Sequence, residues 1–312
     1  MSSKDGTKIC LDPEKRKDNS CDDDTKVLIG DYTQRETGFG VGLGRRVAPF
    51  TTVGVSARLS YNNYILEPGE QCKLDAQGKL TNAANCVLPE NESREFLPQD
   101  GFSGRLGTSI NYDDRDNYNF PRMGVHANAS IALGFGNDYR NSKTKDIQNY
   151  IYVPIEFGVR TYFQLSKEDP KHVLAFKLTA GHQFGGDYPT DRYFYVGGGS
   201  GVTGSRLIRG FTNSDLDPSQ SYAISSLEYR YDFGLDTVAT DTVIGFAYVD
   251  MGWASQIPGY DDYNTPLLAG AGLGVQLNLG FSGISLPPIR LDYSFSEKHT
   301  SGVFGFRFGP VF

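Results

Sequence analysis

Arg209 is the residue of this chain that most demands a chemical explanation. It stands between Ile208 and Gly210, with Phe211 behind it, in the stretch "GSRLIRGF". That stretch closes a longer one, "GGDYPTDRYFYVGGGSGVTGSRLIRGF", which is rich in glycine and has neither helical nor strand periodicity. Connections longer than ~12–15 residues are uncommon in compact domains unless they work or are disordered. A disordered linker would have little use for Tyr193, Phe194, Tyr195 and Phe211. A guanidinium that leaves water needs carboxylate partners, because an unpaired buried charge costs several kcal/mol.

Other chemistries find no anchor. A phosphate-binding loop needs a lysine after its last glycine and then a helix, whereas Ser205 and Arg206 follow Gly204 here and the next element reads as a strand. Neither a Gly-x-Ser-x-Gly elbow nor a His-Glu-x-x-His pair occurs. His126, His172, His182 and His299 are scattered and there is no Cys-x-x-Cys, so zinc is a poor fit. No cofactor, metal or catalytic residue is expected, and the chain does not read as an enzyme. Cys10 and Cys21 lie in one polar stretch, and Cys72 and Cys86 in another. They are either four surface thiols or two local disulfides; the second is the expectation, and it implies an oxidising compartment.

The elements that must position Arg209 are strands. From residue 37 onward apolar residues alternate with polar ones. In "RLDYSFS", Leu291, Tyr293 and Phe295 share one face and Arg290, Asp292 and Ser294 the other. In "SYAISSLEYRYDF", Leu227, Tyr229 and Tyr231 oppose Ser226, Glu228, Arg230 and Asp232. Such alternation marks a strand with one apolar face. Eleven segments qualify: 37–45, 51–62, 102–113, 123–135, 150–164, 172–184, 221–233, 242–253, 267–279, 286–295 and 302–312. Most exceed the ~5–6 residues of an average strand and match the ~9–11 that a tilted strand needs to cross a bilayer. The second face carries small and polar residues, as at Gly270, Gly272, Gly274, Gln276 and Asn278, which suits a polar lumen with lipid outside.

Bulk numbers agree. The chain has 312 residues, with 30 Lys and Arg against 37 Asp and Glu, a net charge of −7 and no basic run, which argues against nucleic acid. Gly numbers 37 and aromatics reach 13%, a balance that fits strands and turns. No window of eighteen apolar residues exists, so no transmembrane helix is expected. The polar opening is no signal peptide, so either the protein is cytoplasmic or its true N-terminus lies upstream.

Loop lengths set the orientation. With Phe312 on the periplasmic side, the inner connections 280–285, 234–241, 165–171, 114–122 and 46–50 are short. The outer ones, 254–266, 185–220, 136–149 and 63–101, are long, as in outer-membrane barrels, and only 296–301 is brief. Eleven strands would leave residue 1 outside, whereas bacterial barrels have even strand numbers. The expectation is therefore a fragment: residues 1–36 as an extracellular loop remnant, with "KVLIGDY" (26–32) as the tail of a twelfth strand, and 37–312 as the C-terminal part of a barrel.

Four stretches in this order carry a family resemblance: "YDDRDNYNFPRMG" (112–124), "RYFYVGGGSGVTGSRLIRGF" (192–211), "FAYVDMGW" (246–253), and "PIRLDYSFS" with the terminal "VFGFRFGPVF". Together they resemble the C-terminal barrel of the BamA family of outer-membrane protein assembly factors, over about residues 30–312. The resemblance implies an all-β transmembrane antiparallel barrel in the outer membrane of a Gram-negative bacterium, with 11 or 12 strands present of a family total of sixteen, and without the family's N-terminal POTRA domains. It implies insertion of other barrel proteins by strand templating. The implied partners are unfolded outer-membrane proteins, membrane lipid, and accessory lipoproteins bound through the POTRA domains. The alternative is a two-partner secretion transporter or a passive pore, since such transporters share the arginine loop. The resemblance also implies that the loop folds back into the lumen, where Arg209, followed by Gly210 and Phe211, meets Glu228 and Asp250 and locks the loop. Period two puts Phe304, Phe306, Phe308 and Phe312 toward lipid, and the resemblance makes this C-terminal strand a recognition signal.

Overall fold

Eleven long antiparallel strands make one continuous wall. They are β1 (Tyr32–Ala48), β2 (Thr51–Leu66), β3 (Gly101–Asp113), β4 (Gly124–Arg140), β5 (Ile147–Gln164) and β6 (His172–Gly185), then β7 (Ser221–Asp232), β8 (Thr240–Ala254), β9 (Leu268–Phe281), β10 (Ile289–Ser296) and β11 (Val303–Phe308). Each pairs with its neighbours in sequence, and Ser3–Lys4 and Ile284–Ser285 add short ladders to β1 and β9. This computed structural model describes residues 3–4, 8–10, 26–28, 32–66, 100–118, 120–140, 147–185, 192–197, 206–212, 217–235, 240–255, 267–281 and 284–309.

Alternation explains the two faces. Large apolar side chains point away from the wall and stay exposed: Phe39 at 74%, Leu273 at 64% and Phe304 at 62%. A soluble protein does not leave a continuous apolar belt open, whereas the outer face of a membrane barrel carries one. The opposite face is charged, polar or glycine and is buried along β6 to β11, where Lys177, Glu228, Arg230, Asp250, Arg290 and Arg307 all lie. The fold is that of an outer-membrane antiparallel barrel.

Several strands outrun their expected bounds at the outer rim. β1 begins at Tyr32 rather than 37, β2 runs to Leu66, and β4 and β5 reach Arg140 and Ile147. Beyond the lipid belt both faces are wet, so apolar alternation fades while backbone pairing continues, as in Arg35↔Asn63. The expectation for "KVLIGDY" is corrected. Lys26–Leu28 pairs with Lys8–Cys10 in a separate two-stranded ladder, and Tyr32 already belongs to β1. The apolar Val27, Leu28 and Ile29 imitate a wall strand in a segment too short to cross the membrane. β11 stops at Phe308, because Gly309 takes φ 101° and its N–H turns to the Pro288 carbonyl at 2.8 Å.

The inner turn between β3 and β4 packs against the inner end of the wall. Asp116 Oδ1 accepts the Arg122 and Met123 amides at 2.9 and 3.2 Å, and Asn117 Oδ1 accepts that of Phe120 at 3.0 Å. This side-chain bonding folds the turn back. Phe120 then packs among Tyr162, Val173, Ala175 and Ile244, while Arg122 reaches Asp232 at 3.2 Å. In the same turn Arg115 is held above its ordinary pKa, chiefly by its hydrogen bond to Asp113.

Candidate functional site

The described part of the loop after β6 lies on the lumen side. Phe194–Val196 pairs with Asp217–Ser219 to form a short stem, and Gln183 ties the stem to the wall. The Gln183 amide donates to the Gln220 carbonyl at 2.9 Å and its side chain to the Arg192 carbonyl at 3.1 Å. Below the stem Ile208 and Phe211 bury themselves with Phe194, Val196, Tyr222, Ile224 and Leu268. This apolar cluster is the outer part of the lumen filling. It requires inward-facing Tyr222 and Ile224 on a strand face that reads as polar further down.

Arg209 lies beneath that cluster and is 3% exposed. Its backbone N–H and Nε donate to Asp250 Oδ2 at 2.9 and 2.8 Å. Nη2 donates to Asp250 Oδ1 at 2.7 Å and to Ser226 Oγ at 2.8 Å, and Nη1 donates to Glu228 Oε2 at 2.5 Å. The paired bonds to Asp250 are the fork geometry that makes arginine–carboxylate contacts strong and directional. Register explains the convergence: Ser226 and Asp250 are Cα partners across β7 and β8, and Glu228 lies two residues along the same face. The guanidinium carbon also sits 3.3 Å from the centroid of the Tyr248 ring, a cation–π contact.

Glycine makes room. Gly210 takes φ 96°, which lets the chain turn directly after Arg209. Ser296 Oγ donates to the Gly210 carbonyl at 2.6 Å. A β-carbon on Gly270 would collide with the Arg209 carbonyl, and one on Gly252 with Ile208. The inward glycines of β8 and β9 are thus the floor on which the loop rests.

The network extends beyond Arg209, Glu228 and Asp250. Glu228 also accepts Arg230 Nε at 2.7 Å and Arg290 Nη2 at 2.8 Å, so one carboxylate serves three guanidiniums. Arg290 stacks over Phe246, its carbon 3.9 Å from the ring centroid. Tyr248 donates to Asp292 at 3.0 Å, and Asp292 pairs with Arg307 of β11. Polar contacts therefore run from the loop to the last strand. An inward polar face tells of a lumen, but the contacts at depth between strands leave no local mark in sequence.

A model of the Omp85 superfamily domain matches residues 5–312. The chain belongs to the Omp85 superfamily. Membership of this superfamily implies an outer membrane as the setting of the wall described above. Among solved structures, BamA from Haemophilus ducreyi lacking POTRA domains 1–3 is similar, with a TM-score of 0.55 and 16% identity over 88% of this chain and 53% of that one. At that identity the likeness concerns the fold, which is that of a BamA-like C-terminal barrel. The chain spans about half the length of that BamA chain. No curated protein sequence matches it.

The remaining expected site residues fall as follows in this Omp85 barrel. Phe304, Phe306 and Phe308 are exposed on the lipid face of β11, while Gly305 and Arg307 are buried inward. Phe312, Cys21, Cys72 and Cys86 lie outside the described residues, and of Cys10 only the backbone is described.

Proposed function

We propose that this protein inserts other barrel proteins into the outer membrane of a Gram-negative bacterium, templating their strands on an edge of its own wall. The carrying observation is the Arg209 site: a loop of this Omp85-superfamily chain is buried on the lumen face of the wall and held there by five hydrogen bonds. Unpaired N–H and C=O groups within a bilayer cost several kcal/mol each, so a weakly paired strand edge of such a wall is covered by an incoming client strand through augmentation. Clients are unfolded outer-membrane proteins, and no catalytic residue or cofactor takes part. The Arg209 lock holds the loop in the lumen and keeps the wall in an insertion-competent shape; its role is mechanical. Phe304, Phe306, Phe308 and Phe312 would form the C-terminal signal that clients share.

The test is reconstitution of the full-length protein in liposomes with a urea-denatured client barrel. Insertion predicts a client that becomes folded and membrane-embedded at a rate above empty liposomes. A client that passes wholly into the vesicle interior would identify a secretion transporter. Ion conductance with neither outcome would identify a pore.

A further inference from the structure

A second arginine of the loop makes an anchor of its own on the opposite part of the wall. Asp138 of β4 is fully buried. Its Oδ2 accepts Asn62 Nδ2 of β2 at 2.7 Å and Arg192 Nη2 of the loop at 3.2 Å, and its Oδ1 accepts the Tyr150 hydroxyl of β5 at 2.6 Å. Ser103 of β3 accepts the same Arg192 Nη2 at 3.2 Å and Asn62 Nδ2 at 2.9 Å. β2 and β5 thus meet β4 at one carboxylate, β3 joins through Ser103, and the loop supplies the cation. The side chains above it fit: Tyr150 and Tyr152 stack with centroids 6.1 Å apart, and Tyr193 packs against them. Inward Gly134 and Gly136 leave the space that the two tyrosine rings fill.

We infer that Arg192 is a positioning residue that fixes the outer ends of β2 to β5 to the loop, so that the loop acts as a strut between those strands and the Arg209 site on β7 and β8. The inference rests on the proposed insertion function, because it makes the strut hold β2 to β5 in place while a client is inserted. Ser60, Asn62 and Tyr64 are the inward residues of β2 that are buried, and they lie at this outer end. Toward the inner end the same face of β2 is more open, at Thr52, Ser56 and Arg58. The loop therefore grips β2 to β5 at the outer end, where the Asp138 cluster lies.

The experiment uses the full-length protein in liposomes and two readouts. Hydrogen exchange follows peptides covering 60–64, 102–105, 134–138 and 206–212; client insertion follows function. Arg192→Ala and Asp138→Asn should each raise exchange at the first three peptides and leave 206–212 protected. The double variant should exchange no faster than the faster single one, since both remove one contact. Arg192→Lys should restore protection in part. Insertion should slow several-fold while the barrel stays resistant to unfolding in detergent. Additive exchange in the double variant, or faster exchange confined to the loop, overturns the anchor whatever happens to insertion. Released outer strands with insertion at the normal rate overturn the positioning role alone. That outcome leaves the assembly function to be judged by whether the unsubstituted protein inserts the client.

Discussion

Arg209 and Arg192 leave the same loop and end in sites of similar construction. In each, a buried aspartate waits on a wall strand, a tyrosine bonds within the network (Tyr248 on the strand of Asp250, Tyr150 on the strand next to that of Asp138), and inward glycines clear space for the ring or the loop. The bonding differs. Arg209 donates five hydrogen bonds at 2.5–2.9 Å to two carboxylates and a serine, and its side chain is 4% exposed. Arg192 reaches Asp138 and Ser103 at 3.2 Å and its side chain is 18% exposed. The carboxylates also differ in what else holds them. Asp250 otherwise has Ser226, whereas Asp138 keeps both Asn62 and Tyr150. The lesson concerns replaceability: a buried charge with few other partners makes its arginine indispensable, and one with neutral donors around it makes its arginine adjustable. The loop thus has a fixed foot on β7 and β8 and a more yielding foot on β2 to β5.

The comparison breaks most sharply at Arg209. Arg209→Ala leaves Asp250 buried without its cation and should cost about 3–5 kcal/mol, read as a lower denaturation midpoint in detergent and as loss of client insertion. A loss no larger than that of Arg192→Ala would erase the distinction. Gly270→Ala comes next, because its obstacle is the loop backbone at Arg209, which cannot swing aside; overpacking of this kind costs about 1–3 kcal/mol. Gly136→Ala meets first the tip of the Tyr150 side chain and then, less closely than at Gly270, a backbone carbonyl, that of Phe102, so the same assay should show a smaller loss. Arg192→Ala should cost about 1 kcal/mol, as a partly exposed pair whose carboxylate retains neutral donors. Smallest is Tyr150→Phe, at about 1 kcal/mol or less, and in an Arg192→Ala background it should cost more, because Asp138 then has fewer donors. Thermal midpoints of the four combinations check that coupling.

Much of this was legible in the sequence, for identifiable reasons. Period two located all eleven wall strands because lipid demands an apolar outer face from each of them. It failed at the outer rim, where no lipid enforces it, and so missed the polar starts and ends of β1, β2, β4 and β5. Alternation also put Glu228 on the inner face, and the family resemblance added Asp250; the structure has both bonded to Arg209. Arg230, Arg290 and Tyr248 share that face, but their contacts depend on how deeply neighbouring strands bring them together. The Arg192–Asp138 contact left no signal at all. Its members are 54 residues apart, and Asp138 sits in "GFGNDYR", which reads as an ordinary polar strand end.

Exchanging Arg209 with Glu228 would set a third arginine between Arg230 and Arg290, both already bonded to Glu228. Asp250 has no second arginine against it among the described hydrogen bonds, so the clean exchange is Arg209→Asp with Asp250→Arg. Client insertion by the full-length protein in liposomes is the measurement. The account predicts that each single variant is strongly impaired and that the exchanged pair recovers a substantial part of the activity. A pair no better than the worse single variant would contradict a lock made by these two charges.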